Sequence, residues 1–382
     1  MSEQIPDETE APLFRRLLRI GRDVPQIDVF AVASFAPVPL LLIGALMGGI
    51  WPWLALGWIA IVIALFDRLI GRASPDAPEG TIFAEADALS AALAVAHFVL
   101  MLLAVASVAG ETGVGWGGRF ALFMGFSLFF GQVSNSNAHE LIHRGDRRLF
   151  GLGKWVYITL LFGHHVSAHR LIHHRFVATP EDPNSAVLGE SFYDFAPQAW
   201  TGSFRAGWQA EAIRARGRPK ATSFKAWLRA LNPYYSYVGG ALACLLLVTV
   251  LFGWRGLIAY LLICAYAQTQ ILLADYVQHY GLRRRSTGPL SYEPVTARHS
   301  WDAREPLSSL WMLNAPRHSD HHAHPGRPYP ELRLDNPEVP RPERPMLPRS
   351  LPVMATLALF PRLWRKVMDP RVRRLHAATG QD

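Results

Sequence analysis

The stretch YVGGALACLLLVTVLFGWRGLIAYLLICAYAQTQILLADYVQH, residues 237–279, decides the architecture. From Tyr237 to Phe252 it carries no charge, and from Leu257 to Asp275 only the final aspartate is charged. Each run approaches the roughly 20 apolar residues that an α-helix needs to cross a bilayer core. Gly253, Trp254 and Arg255 form a short link between them, so the stretch predicts two spans joined by a tight turn and followed at once by a histidine, His279. Comparable runs lie at about 29–50, 51–66, 86–108 and 120–137, the first two making a hairpin at Gly48, Gly49 and Pro52. A single run as short as the second could be a buried helix of a soluble protein. Six such runs in one chain are hard to bury except in lipid, where helices satisfy their own backbone groups. The expectation is an all-α chain: an integral membrane six-helix bundle with spans at about 29–50, 51–66, 86–108, 120–137, 237–252 and 257–275. Residues 138–236 and 276–382 would form a layered cap of loops and short helices, with no internal repeat and no second domain.

Charge sets the orientation. The 382 residues are 50% hydrophobic and carry a formal charge of +8. A basic balance suits nucleic acid, an anionic membrane surface or an acidic partner, but no nucleic-acid motif is present and the arginines flank the apolar runs. Arg15, Arg16, Arg19 and Arg22 precede the first run, Arg68 and Arg72 follow the second, Arg144, Arg147 and Arg148 follow the fourth, and Arg283, Arg284 and Arg285 follow the sixth. The other links are poor in bases, so the positive-inside rule puts both termini in the cytoplasm. The first thirty residues lack the charge, apolar core and small-residue order of a cleavable signal. The two cysteines, Cys244 and Cys264, sit inside apolar runs and offer neither a disulfide framework nor a zinc site. Any metal must be held by nitrogen and oxygen.

Nine of the fifteen histidines fall in clusters. His139 and His143 are four apart in HELIH, and residues four apart share a helix face, so both imidazoles can reach one metal. His169 and His173 repeat the spacing, with His174 adjacent. His318, His321 and His322 form a third cluster, and His279 ends the sixth run. Nine imidazoles exceed the capacity of one first-row metal and suit two. Imidazole favours iron, copper, nickel or zinc, and the lack of thiolate argues against copper(I) and iron–sulfur. The topology, set without the histidines, brings all nine to the cytoplasmic face. His97, His164, His165, His299, His324 and His376 lie outside these spacings and are expected in packing or supporting roles. Ligating histidines need partners for their second nitrogen. Glu140, Asp182, Asp275 and Asp320 are the candidate carboxylates, with Asp275 favoured because it stands one turn before His279.

The motifs HELIHR (139–144), HRLIHHRFVATPEDPNSA (169–186), DYVQHYGLRR (275–284) and RHSDHHAHP (317–325), with GESFYDF (189–195), HSW (299–301) and VMDPRV (367–372), resemble the membrane-bound alkane 1-monooxygenases of the fatty-acid desaturase superfamily. The middle cluster, HxxxHH, follows the alkane hydroxylase pattern rather than the desaturase one. Asp275, Gln278, Ala168 and Ile142 depart from the family pattern, and none of them removes a ligand. The resemblance implies one desaturase-like membrane domain over 1–382, in a bacterial inner membrane, binding two non-haem irons through His139, His143, His169, His173, His174, His279, His318, His321 and His322. It implies hydroxylation of the terminal methyl of an alkane by dioxygen, with electrons from rubredoxin and its reductase, since the chain has no dinucleotide fingerprint and no CxxC pair. An acidic donor suits the basic face at Arg144, Arg147, Arg148 and Arg283 to Arg285.

Trp58 lies nine residues before Asp67, roughly 13 Å along a helix. It is expected to bind substrate as the floor limiting chain length, if its indole faces inward. Three rival readings stay open at this point. They are a desaturase or a hydroxylase of a lipid or aromatic methyl group on the same scaffold, a membrane zinc hydrolase built on His139, Glu140 and His143, and a transporter or structural membrane protein.

Overall fold

The computed structural model describes residues 12–380 except 218–221, 225–226, 228–229, 290, 336–338 and 340–342. Parts of the expected cap therefore lie outside the described residues. Among those described, four helices are long and apolar enough to cross a membrane: Ile27–Met47, Trp51–Ile70, Ala86–Ala109 and Tyr234–His279. The helix Ala86–Ala109 has 24 residues, about 36 Å at 1.5 Å per residue, against a bilayer core of about 30 Å. Outward-facing Val95, Val99, Leu246 and Val250 are more than half exposed. Such a surface suits lipid and not water.

The 46 residues of Tyr234–His279 are not one rod. At Gly253 the backbone leaves helical geometry (φ 61°, ψ −161°). The two halves pack on the same segment. Tyr237 and Gly240 from the first half touch Gly163 and Ile158, while Tyr260 donates to the Thr159 carbonyl at 2.6 Å and Gln268 to that of Leu160 at 2.8 Å from the second. Cys244 lies beside the Tyr260 hydroxyl across the fold. The turn expected at 253–255 is thus present, and it folds the apolar stretch back on itself. The sixth run continues past Asp275 to His279 as unbroken helix, and the second past Phe66 to Ile70.

The run expected at 120–137 belongs to a longer segment, Trp116–Phe129 followed by a π-helical turn, Phe130–Ser134, and then Asn135–Ile142. A second π turn occupies Trp58–Val62. The all-α expectation needs one correction: Ser286–Gly288 and Ser291–Tyr292 pair as a small antiparallel hairpin, because Arg285 and Glu293 bridge its open end, Glu293 accepting from the Arg285 amide at 2.9 Å.

The cap is tied to the helices by buried charges. The Asp67 carboxylate, near the end of Trp51–Ile70, accepts from the Leu307 and Ser308 amides at 2.7 and 3.1 Å and so caps the helix Pro306–Trp311. Buried Arg317 donates to Asp76 and to the Leu332 carbonyl, both at 2.6 Å, and to the Ser74 carbonyl at 2.9 Å. These contacts fix the approach to His318–Ala323.

Only glycine takes the Gly253 conformation without strain. Gly253→Ala is expected to cost about 1–3 kcal/mol, seen as a lower unfolding temperature of the protein in detergent. An unchanged melting profile would mean that the turn relaxes freely.

Candidate metal centre

Four separate pieces of chain deliver the histidines. His139 lies near the end of the helix Asn135–Ile142 and His143 is its C-cap. His169 and His173 bound a π turn, and His174 follows. His279 is the last residue of the long helical hairpin. His318, His321 and His322 occupy a helix of six residues, His318–Ala323.

The nine imidazoles converge in two groups. His139, His143, His169, His174 and His321 form one, and His173, His279, His318 and His322 the other, with the donor atoms of each group within 4.8 Å of one another. The groups adjoin: the His174 and His322 rings are 4.5 Å apart, and those of His169 and His173 5.1 Å.

The partition does not follow the four-residue spacing. His169 and His173 do not share a group, although they are four apart. The π turn widens the helix so that the His174 amide bonds the His169 carbonyl five residues back. His169 and His174 then meet, with their Nε2 atoms 2.9 Å apart, and His173 turns to the other group. His318 and His322 keep the four-residue spacing within one group, and His321 faces the other.

The nitrogen spacing is that of a coordination shell. An imidazole nitrogen sits ~2.1 Å from a first-row metal, so neighbouring ligands lie ~3.0–3.4 Å apart. Here Nε2 of His321 is 3.1 Å from that of His174, and Nε2 of His318 is 3.1 Å from those of both His279 and His322. The buried Nε2 atoms of His139, His143 and His173 have no hydrogen-bond partner among the described residues. A buried nitrogen left so is costly unless something else takes its lone pair. Burial, reinforced by the neighbouring rings, holds His143, His169, His174, His318, His321 and His322 well below the usual imidazole range and His139 at about 3. They are therefore neutral, the form that binds metal. The residues fit a pair of nitrogen-loving first-row ions.

His173 differs. Burial opposes its charging, but the Asp182 carboxylate outweighs burial and holds its proton affinity above the usual value. His173 Nδ1–H donates to Asp182 Oδ2 at 2.8 Å. Asp182 is held in turn by the Ser185 hydroxyl at 2.6 Å and the Asn184 amide at 3.1 Å. It is the one of the four candidate carboxylates with a described hydrogen bond to a clustered histidine. Asp275, expected to lead, instead accepts from the Asn184 side chain at 2.7 Å and reaches the site through that loop. Glu140 is engaged by the Tyr329 amide at 3.2 Å and by Arg144 at 3.0 Å, which does not favour it as the base of a zinc hydrolase. Asp320 binds Arg327, the Arg333 amide and His324, bracing the loop beyond the third cluster. His279 Nδ1–H donates to the His299 carbonyl at 3.3 Å, a role that the HSW motif contains but its spacing does not reveal.

Other supports surround the two groups, Asp302 among them unmarked in the sequence. Buried Asp302 accepts from the Ser319 amide at 2.8 Å and from its hydroxyl, orienting the third cluster. Gln278 donates to the Ala315 carbonyl at 3.1 Å, joining the end of the long hairpin to the chain leading to His318. His165 stacks on His169 with ring centres 5.0 Å apart. His164 packs against Trp200 and Phe204, His97 lies 2.9 Å from the Thr159 hydroxyl, and His376 donates to the Gly281 carbonyl at 2.9 Å. Trp58 is half-buried against the core, in the π turn of the second span.

Comparison with known proteins agrees with this architecture. The fatty acid desaturase family matches residues 114–356. The chain is 33% identical to alkane 1-monooxygenase 2 of Pseudomonas aeruginosa, over 86% of this chain and 85% of that one. It is 32% identical to alkane 1-monooxygenase 1 of the same organism, over 90% and 95%, and 30% identical to the alkane 1-monooxygenase of Acinetobacter baylyi, over 94% and 85%. With two adjoining histidine groups on a largely helical chain and matches across most of its length, the chain belongs to the alkane 1-monooxygenases, oxidoreductases of the fatty acid desaturase family.

Proposed function

We propose that this membrane enzyme is a non-haem di-iron monooxygenase of a bacterial inner membrane, with six spans and both termini cytoplasmic. It hydroxylates the terminal methyl of alkanes with dioxygen and rubredoxin-supplied electrons. The observation that carries this reading is the convergence of nine imidazoles in two adjoining groups, with His279 among them at the end of a long apolar helix. His139, His143, His169, His174 and His321 hold one iron, and His173, His279, His318 and His322 the other. The iron pair supplies the activation of dioxygen that attack on an unactivated C–H bond requires.

The protein does the rest by placement. Asp182 and the His299 carbonyl take the remote N–H groups of His173 and His279 and fix their ring orientation. Buried Tyr280, Trp301 and Trp311 shield the surroundings from water. The alkane reaches the site from lipid, through the bundle. On the cap, Arg144 is taken up by Glu140 and Asp87 and Arg284 by the carbonyls of Arg175 and Glu293. Arg147 and Arg148 are exposed, as are Arg283 and Arg285, the latter beside Glu293, and this basic face suits a small acidic rubredoxin fed by its reductase.

Alkanes of graded length, supplied with rubredoxin, its reductase and ¹⁸O-labelled dioxygen, should give labelled primary alcohols. A new double bond, or labelled aromatic alcohols alone, would transfer the scaffold to the rival desaturase or aromatic-methyl reading. Iron should approach two per chain. Replacing any one of the nine histidines with alanine should abolish hydroxylation and lower iron content while membrane insertion is kept. One zinc and no iron would end the di-iron reading.

Asp182→Ala should lower metal affinity or turnover by about 10–100-fold. Asp275→Ala should cost less, because it acts on the site through Asn184. The reverse order would mean that the His173–Asp182 bond does not orient a ligand.

Trp58 is proposed as the floor of the alkyl path. Trp58→Ser should extend the product profile toward longer alkanes without loss of iron, and an identical profile across the length series would place Trp58 outside the path.

A further inference from the structure

A cleft of about 560 Å³ opens between Trp51–Ile70, the segment 116–134, the second half of the long hairpin and the helix Leu351–Ala358. Its walls are apolar, with Gly57, Ala60, Leu128, Leu273 and Val353 among them. Ala60 and Ile61 are exposed on the outer surface of their helix, midway along the membrane-length Trp51–Ile70. Gly57 and Ala60 leave room there: a Cβ at Gly57 would meet nothing within 4 Å.

Two amides stand among these apolar walls. Gln132, on the π turn, and Gln270, on the long hairpin, both line the cleft, and Gln132 Nε2 is 3.5 Å from Gln270 Oε1. Gln132 is held in place by Trp311, whose indole N–H donates to its Oε1 at 2.8 Å. That bond links the cleft to the segment leading to His318. Along their helices Gln132 precedes His139 by about 10 Å and Gln270 precedes His279 by about 13 Å, at 1.5 Å per residue. The cleft is therefore apolar along its walls and hydrogen-bonding where it nears the imidazoles. An alkane has no use for the amides, and their mutual contact, at 3.5 Å, is long enough to yield to a ligand's hydroxyl. An apolar pocket with a few convergent polar groups is the usual form of a site that orients an amphiphile.

From this we infer that the cleft is a binding site for a long-chain primary alcohol, with its hydroxyl at Gln132 and Gln270 and its chain running toward the bilayer between Gly57, Ala60 and Val353. The inference rests on the proposed alkane hydroxylation for its meaning, since the alcohol is that reaction's product. The cleft then receives the product as its new hydroxyl makes the lipid-filled bundle less favourable, and the amides exchange one hydrogen bond for another as the alcohol leaves. Substrate and product are thereby told apart by one functional group.

The test uses the full-length, iron-loaded protein in lipid nanodiscs and a photoreactive long-chain primary alcohol carrying a diazirine near the far end of its chain. Labelling is expected at Ala60, Ile61 or Val353. It should be competed by a 1-alkanol at concentrations about three- to tenfold lower than by the n-alkane of equal length, the range that one net hydrogen bond supplies. Gln270→Leu should remove that preference while leaving iron content unchanged. Ala60→Phe, which fills the cleft from the lipid side, should suppress labelling altogether. Equal competition by alkane and alcohol, a preference that survives Gln270→Leu, or labelling confined to other helices would overturn the inference. Because the probe is the alcohol itself, the result does not depend on whether the chain turns over alkanes. Failure of the hydroxylation reading would show instead in the product assay.

Discussion

Nine imidazole nitrogens have to meet at coordination distance inside a protein whose neighbouring helices are surrounded by lipid. Everything else in the structure follows from that requirement. Neutral nitrogens packed about 3 Å apart, the edge of a metal's ligand shell, do not hold themselves together: their lone pairs repel and each buried ring gives up hydrogen bonds to water. The scaffold has to impose the arrangement. It does so with long helices that end at a common level and with a cap whose loops are pinned by buried charges, Arg317 to Asp76 and Asp67 to the start of Pro306–Trp311. The helical hairpin folded at Gly253 brings its second half back through the bundle and delivers His279 to that level.

Charge is distributed unevenly around the two groups. The group containing His173 is backed by Asp182, with Asp275 behind it through Asn184. None of the four candidate carboxylates makes a described hydrogen bond to the group containing His139, whose rings lean on one another and on His165. An anionic partner raises the basicity of a ligating imidazole, so the two positions offer different donor strength from the same residue type. The fivefold and fourfold counts add to that difference.

The π turns recur where the fold departs from regular helix for a purpose. One at 169–173 separates His169 from His173 and sends them to different groups. One at 130–134 turns Gln132 toward both Trp311 and the lateral cleft, a few turns before His139. Such insertions in a helix are uncommon and concentrate at functional positions. Here each one shifts the face on which the following residues stand.

The sequence alone determined that the chain has runs long and apolar enough for a membrane, which histidines cluster and which family it joins. Those properties are local. Apolar run length, the charge of the flanks and the residue types in HELIHR, HRLIHH, DYVQH and RHSDHH are read without knowing what lies opposite them, as was the turn at 253–255. Tertiary structure alone decided which histidines stand together, because a π turn and an α-helix of the same sequence length present different faces. It also decided that Asp182 and not Asp275 touches a clustered histidine, that Asp302 orients Ser319 and its helix, and that Gln132 and Gln270 meet at one cleft. Each of those pairings joins residues apart in sequence or reverses a choice that spacing had favoured. Their energies come from burial and contact, which no single stretch of chain contains.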